Sequence, residues 1–190
     1  REMARPKGTQ KNSWKYLNEF QLKAFNSALK KHGTLRDQVM MGLTLYLGLR
    51  VTELVNIRLS DIEWESRQIT IQGIKGGRKR TYPEIEEKLW AKLIKYIKRE
   101  KPTDRVFPIS AQSAKNIFKK YAKLAGLGNS FSIHCLRHTC AMLKAKRGDS
   151  PVKIMLWLRH RSIQSTQRYF EQVLFERESV EMNTMLRQYL

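Results

Sequence analysis

A chain of 190 residues, 41% of them hydrophobic, carries enough apolar material for one well-buried core but is too short for two domains of ordinary size. Its 37 lysines and arginines against 17 acidic residues leave a formal charge of +20, which makes nucleic acid the first candidate partner, although a ribosomal or chromatin-type protein or a merely basic surface would carry the same balance. No apolar run approaches the roughly 18 residues of a membrane span, and two close cysteines, Cys135 and Cys140, with no secretory segment before them argue against a disulfide framework, so a soluble protein in the reducing cytoplasm is expected.

The chain opens on Arg1, and Met3 makes a poor start, so it reads as a piece of a longer protein. Residues 1–13 are polar, basic and aperiodic, as in a linker or arm able to track a DNA backbone; the domain proper is expected over 14–177. Asn18 followed by Gln21 makes a capping pair, and Phe20, Leu22, Phe25, Ala28 and Leu29 then recur at helical spacing up to Gly33. Thr34 can cap a second helix, whose apolar stretch from Val39 to Leu49 reads as the buried hub, and a short helix follows from Thr52. The period then changes. Ile62 and Trp64, Ile69 and Ile71, and Tyr82 and Ile85 suit a meander of two or three strands, with the basic, glycine-rich loop GIKGGRKR before the last. Helical patterns resume at about 84–99, 113–125, 132–147, 150–158 and 163–170. A final segment, 178–190, gathers Met182, Met185, Leu186, Tyr189 and Leu190 within about 140° of one helical face. That stripe must be buried, either on its own domain or in a groove of a neighbouring protomer. The expected fold class is mainly α with a small antiparallel β-sheet, α+β, without internal repeats.

The segment SIHCLRHTCAML holds the densest chemistry. At about 100° per residue, His134, Arg137 and His138 fall on one helical face, where a guanidinium fork and an imidazole can converge on one phosphate. A zinc site built from His134, Cys135, His138 and Cys140 is disfavoured, because one helix sends the two cysteines to other faces; no metal is expected. Taken alone, these histidines read equally well as core or cap residues. Arg50 follows the buried hub, with Glu53 three residues on and able to brace it, though a bare Arg–Glu pair is usually surface decoration. Lys75 and its rival Lys79 share the loop with Arg78 and Arg80, where a lysine in isolation reads as a solvated turn. LRHRSIQSTQRYF adds His160 and Tyr169. Of the other tyrosines, Tyr46 and Tyr121 lie on apolar faces, and Tyr16, Tyr82, Tyr96 and Tyr189 lack a neighbouring histidine motif.

In this order, GLRVTEL, IKGGRKR, HCLRHT and LRHRSIQSTQRY resemble the motifs of the tyrosine recombinase (phage-type integrase) family, GLR..EL..L, a hairpin lysine before a basic turn, H.LRHT and LGH.S...T..Y. The likeness spans nearly the whole chain from about residue 16. It implies that family's catalytic-domain fold and a DNA strand cleavage and rejoining chemistry without metal or nucleotide cofactor. Arg50 and Arg137 would hold the scissile phosphate, His134 and His160 complete its hydrogen-bonding shell, Lys75 protonate the leaving 5′-oxygen, and Tyr169 attack phosphorus to leave a 3′-phosphotyrosyl link. His134 would be the base or proton shuttle, with Glu53, His138, Arg78, Lys79, Arg80 and Arg159 bracing the pocket or contacting DNA. The implied partners are double-stranded DNA and further copies of the chain, a tetramer on DNA joined through the C-terminal helix, beside the nucleoid in a prokaryote. Arg159 departs from the family, which usually has glycine there; either the turn presenting His160 differs or Arg159 adds a phosphate contact. Two alternatives stay open: a type IB topoisomerase or telomere resolvase with a similar pocket, and a non-catalytic DNA-binding module.

Overall fold

The structure is a computed structural model that describes residues 15–73 and 79–187. The arm at 1–13, the loop residues Lys75 and Arg78, and Tyr189 and Leu190 lie outside the described residues. Helix α1 (Glu19–His32) begins at the expected capping box, with the Asn18 side chain accepting from the Gln21 backbone N–H at 2.9 Å and the Gln21 side chain accepting from the Asn18 N–H at 3.0 Å. Helix α2 (Leu35–Leu47) starts under the Thr34 hydroxyl and buries Val39, Met40, Met41, Leu43 and Leu47. It is the hub, packed against α4 (Glu87–Glu100) on one side and α6 (His134–Lys146) on the other.

Between α3 (Val51–Val55) and α4, the strands β1 (Ile62–Glu63), β2 (Gln68–Ile71) and β3 (Arg80–Tyr82) form an antiparallel meander in chain order, with Ile69 opposite both Ile62 and Tyr82. The fold is the expected α+β arrangement. One strand is shorter than its pattern: β1 ends at Glu63 because the chain turns at 64–67, leaving Trp64 exposed against Trp90 rather than inside. Ile85 lies beyond β3, buried, with its N–H on the Arg67 carbonyl. Helix α5 (Ala111–Leu124) closes the other flank, Phe118 meeting Phe25 of α1 at 5.2 Å between ring centres.

A second apolar cluster positions the functional region. Cys140, Ala141, Met142 and Ala145 of α6, Ile154 and Leu158 of α7 (Pro151–Leu158), and Tyr169 and Val173 of α8 (Gln164–Leu186) pack together. Helix α8 corrects the sequence reading, which left a break between 170 and 178. The chain runs through that gap as helix, some 35 Å in all at about 1.5 Å per residue. Val173 is its last buried residue; beyond it Leu174, Phe175, Val180, Met182, Met185 and Leu186 are exposed, so the helix leaves the domain that anchors it. Among the described residues no helix is long and apolar enough to cross a membrane.

Candidate active site

The site is organised around one buried carboxylate. Glu53, 3% exposed on α3, accepts from the backbone N–H and the guanidinium of Arg50, at 2.7 and 2.9 Å, and from Nε and Nη2 of Arg159, at 3.2 and 2.5 Å; Arg137 Nη1 lies 3.9 Å away. Burial pushes the Glu53 carboxyl up, but Arg159, the Arg50 backbone N–H and Arg137 outweigh it, so its pKa lies below the usual carboxylate value. The pair Arg50–Glu53 is therefore not surface decoration: Glu53 ties three guanidiniums from three parts of the chain. Arg50 keeps an exposed portion able to reach a ligand.

Arg137 is 1% exposed, and its guanidinium donates to the carbonyls of Gly48 and Leu158. Those carbonyls sit at the C-terminal ends of α2 and α7, the negative poles of both helices, where a buried cation is stabilised. Burial, and then the nearby Arg50, bring its pKa down to about 10, which leaves it charged at neutral pH. Gly48 has to be glycine for this geometry. It caps α2 at φ 61°, and a Cβ there would come within 2.3 Å of Leu158 Cδ2.

Tyr169 is 1% exposed, and its hydroxyl meets Nδ1 of His138 at 2.8 Å. Burial raises the phenol's pKa, and the opposing fields of Arg137 and Arg168 only partly offset it. The His160 ring stacks beside Tyr169 at 6.4 Å between centres, fixed by a 2.8 Å contact from its Nδ1 to the Thr166 hydroxyl. Burial, followed by the surrounding cations, lowers both His138 and His160 to about 3, so both rings are neutral at physiological pH. His134 stands edge-on to His138 at 4.6 Å with part of its ring open to solvent, and burial of the rest together with Arg137 and Arg50 holds its pKa below the ordinary imidazole value. Sequence reasoning favoured His134 as proton acceptor; the imidazole on the phenol is His138.

Arg159 explains the departure from glycine. It ends α7 at φ 57°, a left-handed position that suits glycine, and turns its side chain inward to Glu53 and to the Trp157 and Gly48 carbonyls. Its guanidinium is thus engaged inside the domain rather than directed outward. Lys79 is exposed just before β3, and Arg80 is half-buried with its Nε lacking a hydrogen-bond partner among the described residues. Sequence reasoning missed Arg168, half-buried beside Tyr169, whose Nε donates to the Ser165 carbonyl at 3.2 Å and whose charge reaches His134, His138, His160 and Tyr169. Its place immediately before the tyrosine was the available signal. The competing tyrosines have other partners: Tyr121 donates to Asp37 at 2.7 Å, Tyr96 to the Val106 carbonyl at 3.0 Å, Tyr82 to the Trp157 carbonyl and Tyr16 to Glu176. Trp157 packs half-buried, edge-on to Tyr82, under the Lys144 ammonium.

A pocket of guanidiniums and neutral imidazoles around a buried phenol can stabilise charge growing on a phosphate while an oxygen nucleophile attacks it. Many known proteins are similar to this chain in sequence or fold. The phage integrase family pattern matches residues 15–174. Tyrosine recombinase XerA of Saccharolobus solfataricus is 33% identical over 161 residues, covering 84% of this chain and 53% of that protein, and tyrosine recombinase XerD of Vibrio cholerae is 32% identical over 170 residues, covering 82% and 56%. The chain spans about half the length of the curated relatives it matches. Among solved structures, the XerH site-specific recombinase bound to palindromic difH substrate in a post-cleavage complex superposes with a TM-score of 0.78 at 19% identity, over 92% of this chain and 56% of that one. The XerA recombinase structure gives 0.74 at 23% identity, over 87% and 64%. At these identities the superpositions establish the common fold.

Proposed function

The chain belongs to the phage integrase family, and from that premise we propose that it is the catalytic domain of a site-specific DNA recombinase that cleaves and rejoins strands through a 3′-phosphotyrosyl link at Tyr169. One observation carries the reading: the Tyr169 hydroxyl is buried between His138 and His160 and faces the field of Arg137, which Glu53 joins to Arg50. Arg50 and Arg137 hold the non-bridging oxygens of the scissile phosphate, and His134 and His160 complete the shell as phosphorus becomes five-coordinate. The arginines supply fixed positive charge, and the covalent link conserves the phosphodiester's free energy for rejoining, so the chemistry calls for neither metal nor nucleotide. Lys75, with Lys79 as the other cation of that loop, protonates the departing 5′-oxygen.

The substrate is double-stranded DNA, reached in the cytoplasm; a formal charge of +20 and the DNA-bound state of the similar XerH structure support this. The active assembly is a tetramer on DNA. The exposed stripe of Val180, Met182, Met185 and Leu186, which finds no cover among the described residues, docks on a neighbouring protomer and couples one subunit's tyrosine to the next. Deleting residues 178–190 should then weaken assembly on DNA or deregulate cleavage, and unchanged oligomerisation with unchanged regulation would rule the docking out.

The test of the activity is covalent trapping on a nicked suicide duplex. Wild type should form a protein–DNA adduct and Tyr169→Phe should bind without forming one; an adduct that persists in Tyr169→Phe rejects the assignment. Relaxation of supercoiled DNA without any site requirement would move the reading to a type IB topoisomerase.

A further inference from the structure

The recombinase reading leaves open which group takes the proton from Tyr169, and the geometry points to one. We propose that His138 is the general base of strand cleavage, accepting the Tyr169 hydroxyl proton at its Nδ1 as the phenolic oxygen attacks phosphorus. The inference rests on the recombinase reading and assigns a catalytic role to a residue that the family likeness left among the supporting ones.

Three histidines surround the phenol, and they differ in reach. His138 Nδ1 is 2.8 Å from the hydroxyl oxygen, already at proton-transfer distance. His160 is committed through Nδ1 to Thr166, and its ring lies nearly parallel to Tyr169 with 15° between planes, a packing contact. His134 meets the His138 ring edge-on, one step further out. A neutral His138 with its proton on Nε2 presents a lone pair at Nδ1, the tautomer the step requires. The balance is simple. The Tyr169 O–H bond breaks and an N–H bond forms on His138; the Tyr169 oxygen bonds to phosphorus; the P–O5′ bond breaks, and the leaving oxygen takes its proton from the general acid. Rejoining runs the same steps backward, with imidazolium returning the proton to the phenol.

The surroundings make this base dependent on substrate. Facing the His138 ring are His134 and Arg137 from its own helix, Arg168 and Tyr169 from α8, and His160 from the turn between α7 and α8. Burial and these positive fields keep the imidazole far less basic than usual in the DNA-free protein. A phosphodiester entering between Arg50 and Arg137 brings a negative charge that offsets those fields and raises the affinity of Nδ1 for a proton. The tyrosine is thereby activated only when a phosphate is in place to be attacked.

The experiment measures adduct formation on a nicked duplex captured covalently by the wild-type chain from a randomised pool. His138→Asn places an amide oxygen near the former Nδ1, so it can still accept the tyrosine hydrogen bond but cannot take the proton. It should bind the duplex within about threefold of wild type and form adduct about 100-fold more slowly, the lower end of what a positioned base contributes. Replacing Tyr169 by 3,5-difluorotyrosine, a more acidic phenol, should restore much of that loss in the His138→Asn background and change the wild-type rate little. As a shape-preserving control against misfolding, 2-fluorohistidine at position 138 keeps the ring and removes most of its basicity, and should slow cleavage in the same way. Wild-type speed in either variant, or the same fluorotyrosine effect in both backgrounds, would overturn the assignment and leave the recombinase reading intact. Failure of the wild-type chain to capture any duplex would overturn that reading and this one with it.

Discussion

Gly48→Ala is the sharpest test of how the pocket is built. The glycine sits at φ 61° and ψ 44°, and a methyl group there would lie 2.3 Å from Leu158 Cδ2 and 3.4 Å from Cys140 Sγ. The left-handed torsion costs an alanine about 1–2 kcal/mol, and forcing a methyl into a close-packed interior costs about 1–3 kcal/mol more. The sum, about 2–5 kcal/mol, should lower the melting temperature of a domain this size by roughly 5–20 °C in a circular-dichroism melt. The two contributions separate in a double-mutant cycle. Leu158→Ala removes the atom that the new methyl strikes, so Gly48→Ala on that background should cost only the torsional part, and the pair should couple by about 1–3 kcal/mol. Cleavage should slow as well, since the Gly48 carbonyl holds both Arg137 and Arg159. A melting temperature within about 1 °C of wild type, or strict additivity with Leu158→Ala, would refute the geometry on which the pocket is argued.

The other expectations address charge. Glu53→Gln leaves Arg50, Arg137 and Arg159 without their shared carboxylate; removing one side of a buried ion pair costs about 3 kcal/mol or more, and added duplex DNA should stabilise this variant more than wild type in a thermal-shift assay. Arg159→Gly and Arg159→Ala both lose the contact with Glu53, but only glycine is at ease at φ 57°, so the alanine variant should melt lower by about 1 kcal/mol, and equal melting would contradict the torsional argument. His138 and His160 lie at about 3 in the folded chain, below their unfolded value, so between the two values the unfolded chain binds more protons. That stability is present above a pH of about 6.5 and is lost as pH falls toward 3, by up to about 1.4 kcal/mol per unit for each ring. Urea melts across that range should show a flatter slope when both rings are replaced by asparagine, and an unchanged slope would exclude them as the cause.

What the sequence made legible was whatever repeats or caps locally. The Asn18–Gln21 box, the Thr34 cap and the apolar run of α2 are short-range signals that the packing had no reason to override. The helical wheel likewise put His134, Arg137 and His138 on one face, but a wheel gives direction and not reach, so it could not tell that His138 meets the phenol while His134 stands behind it. Arg159 was recognisable as a departure from glycine; its inward turn was not, because the partner, Glu53, lies 106 residues earlier in the chain. Helix α8 was split in the sequence reading because periodicity reports burial. Past Val173 the helix buries no further side chain among the described residues, so the segment between 170 and 178 carries no core-facing pattern although the backbone stays helical.

The site carries more positive charge than its one buried carboxylate balances. Arg50, Arg137, Arg159 and Arg168 converge near Glu53, Tyr169 and three histidines, a surplus of positive charge in partly dehydrated surroundings. The fold tolerates the excess in two ways. Helix C-termini aim carbonyls at Arg137, and burial with the neighbouring cations pushes His138 and His160 down to about 3, so those two rings add no charge of their own at neutral pH. Leaving the charge uncompensated costs stability in the free protein, and in the reaction proposed above an entering phosphodiester would recover it beside Tyr169. On that proposal, affinity for the phosphate and readiness of Tyr169 would be one electrostatic quantity, set by the same four guanidiniums.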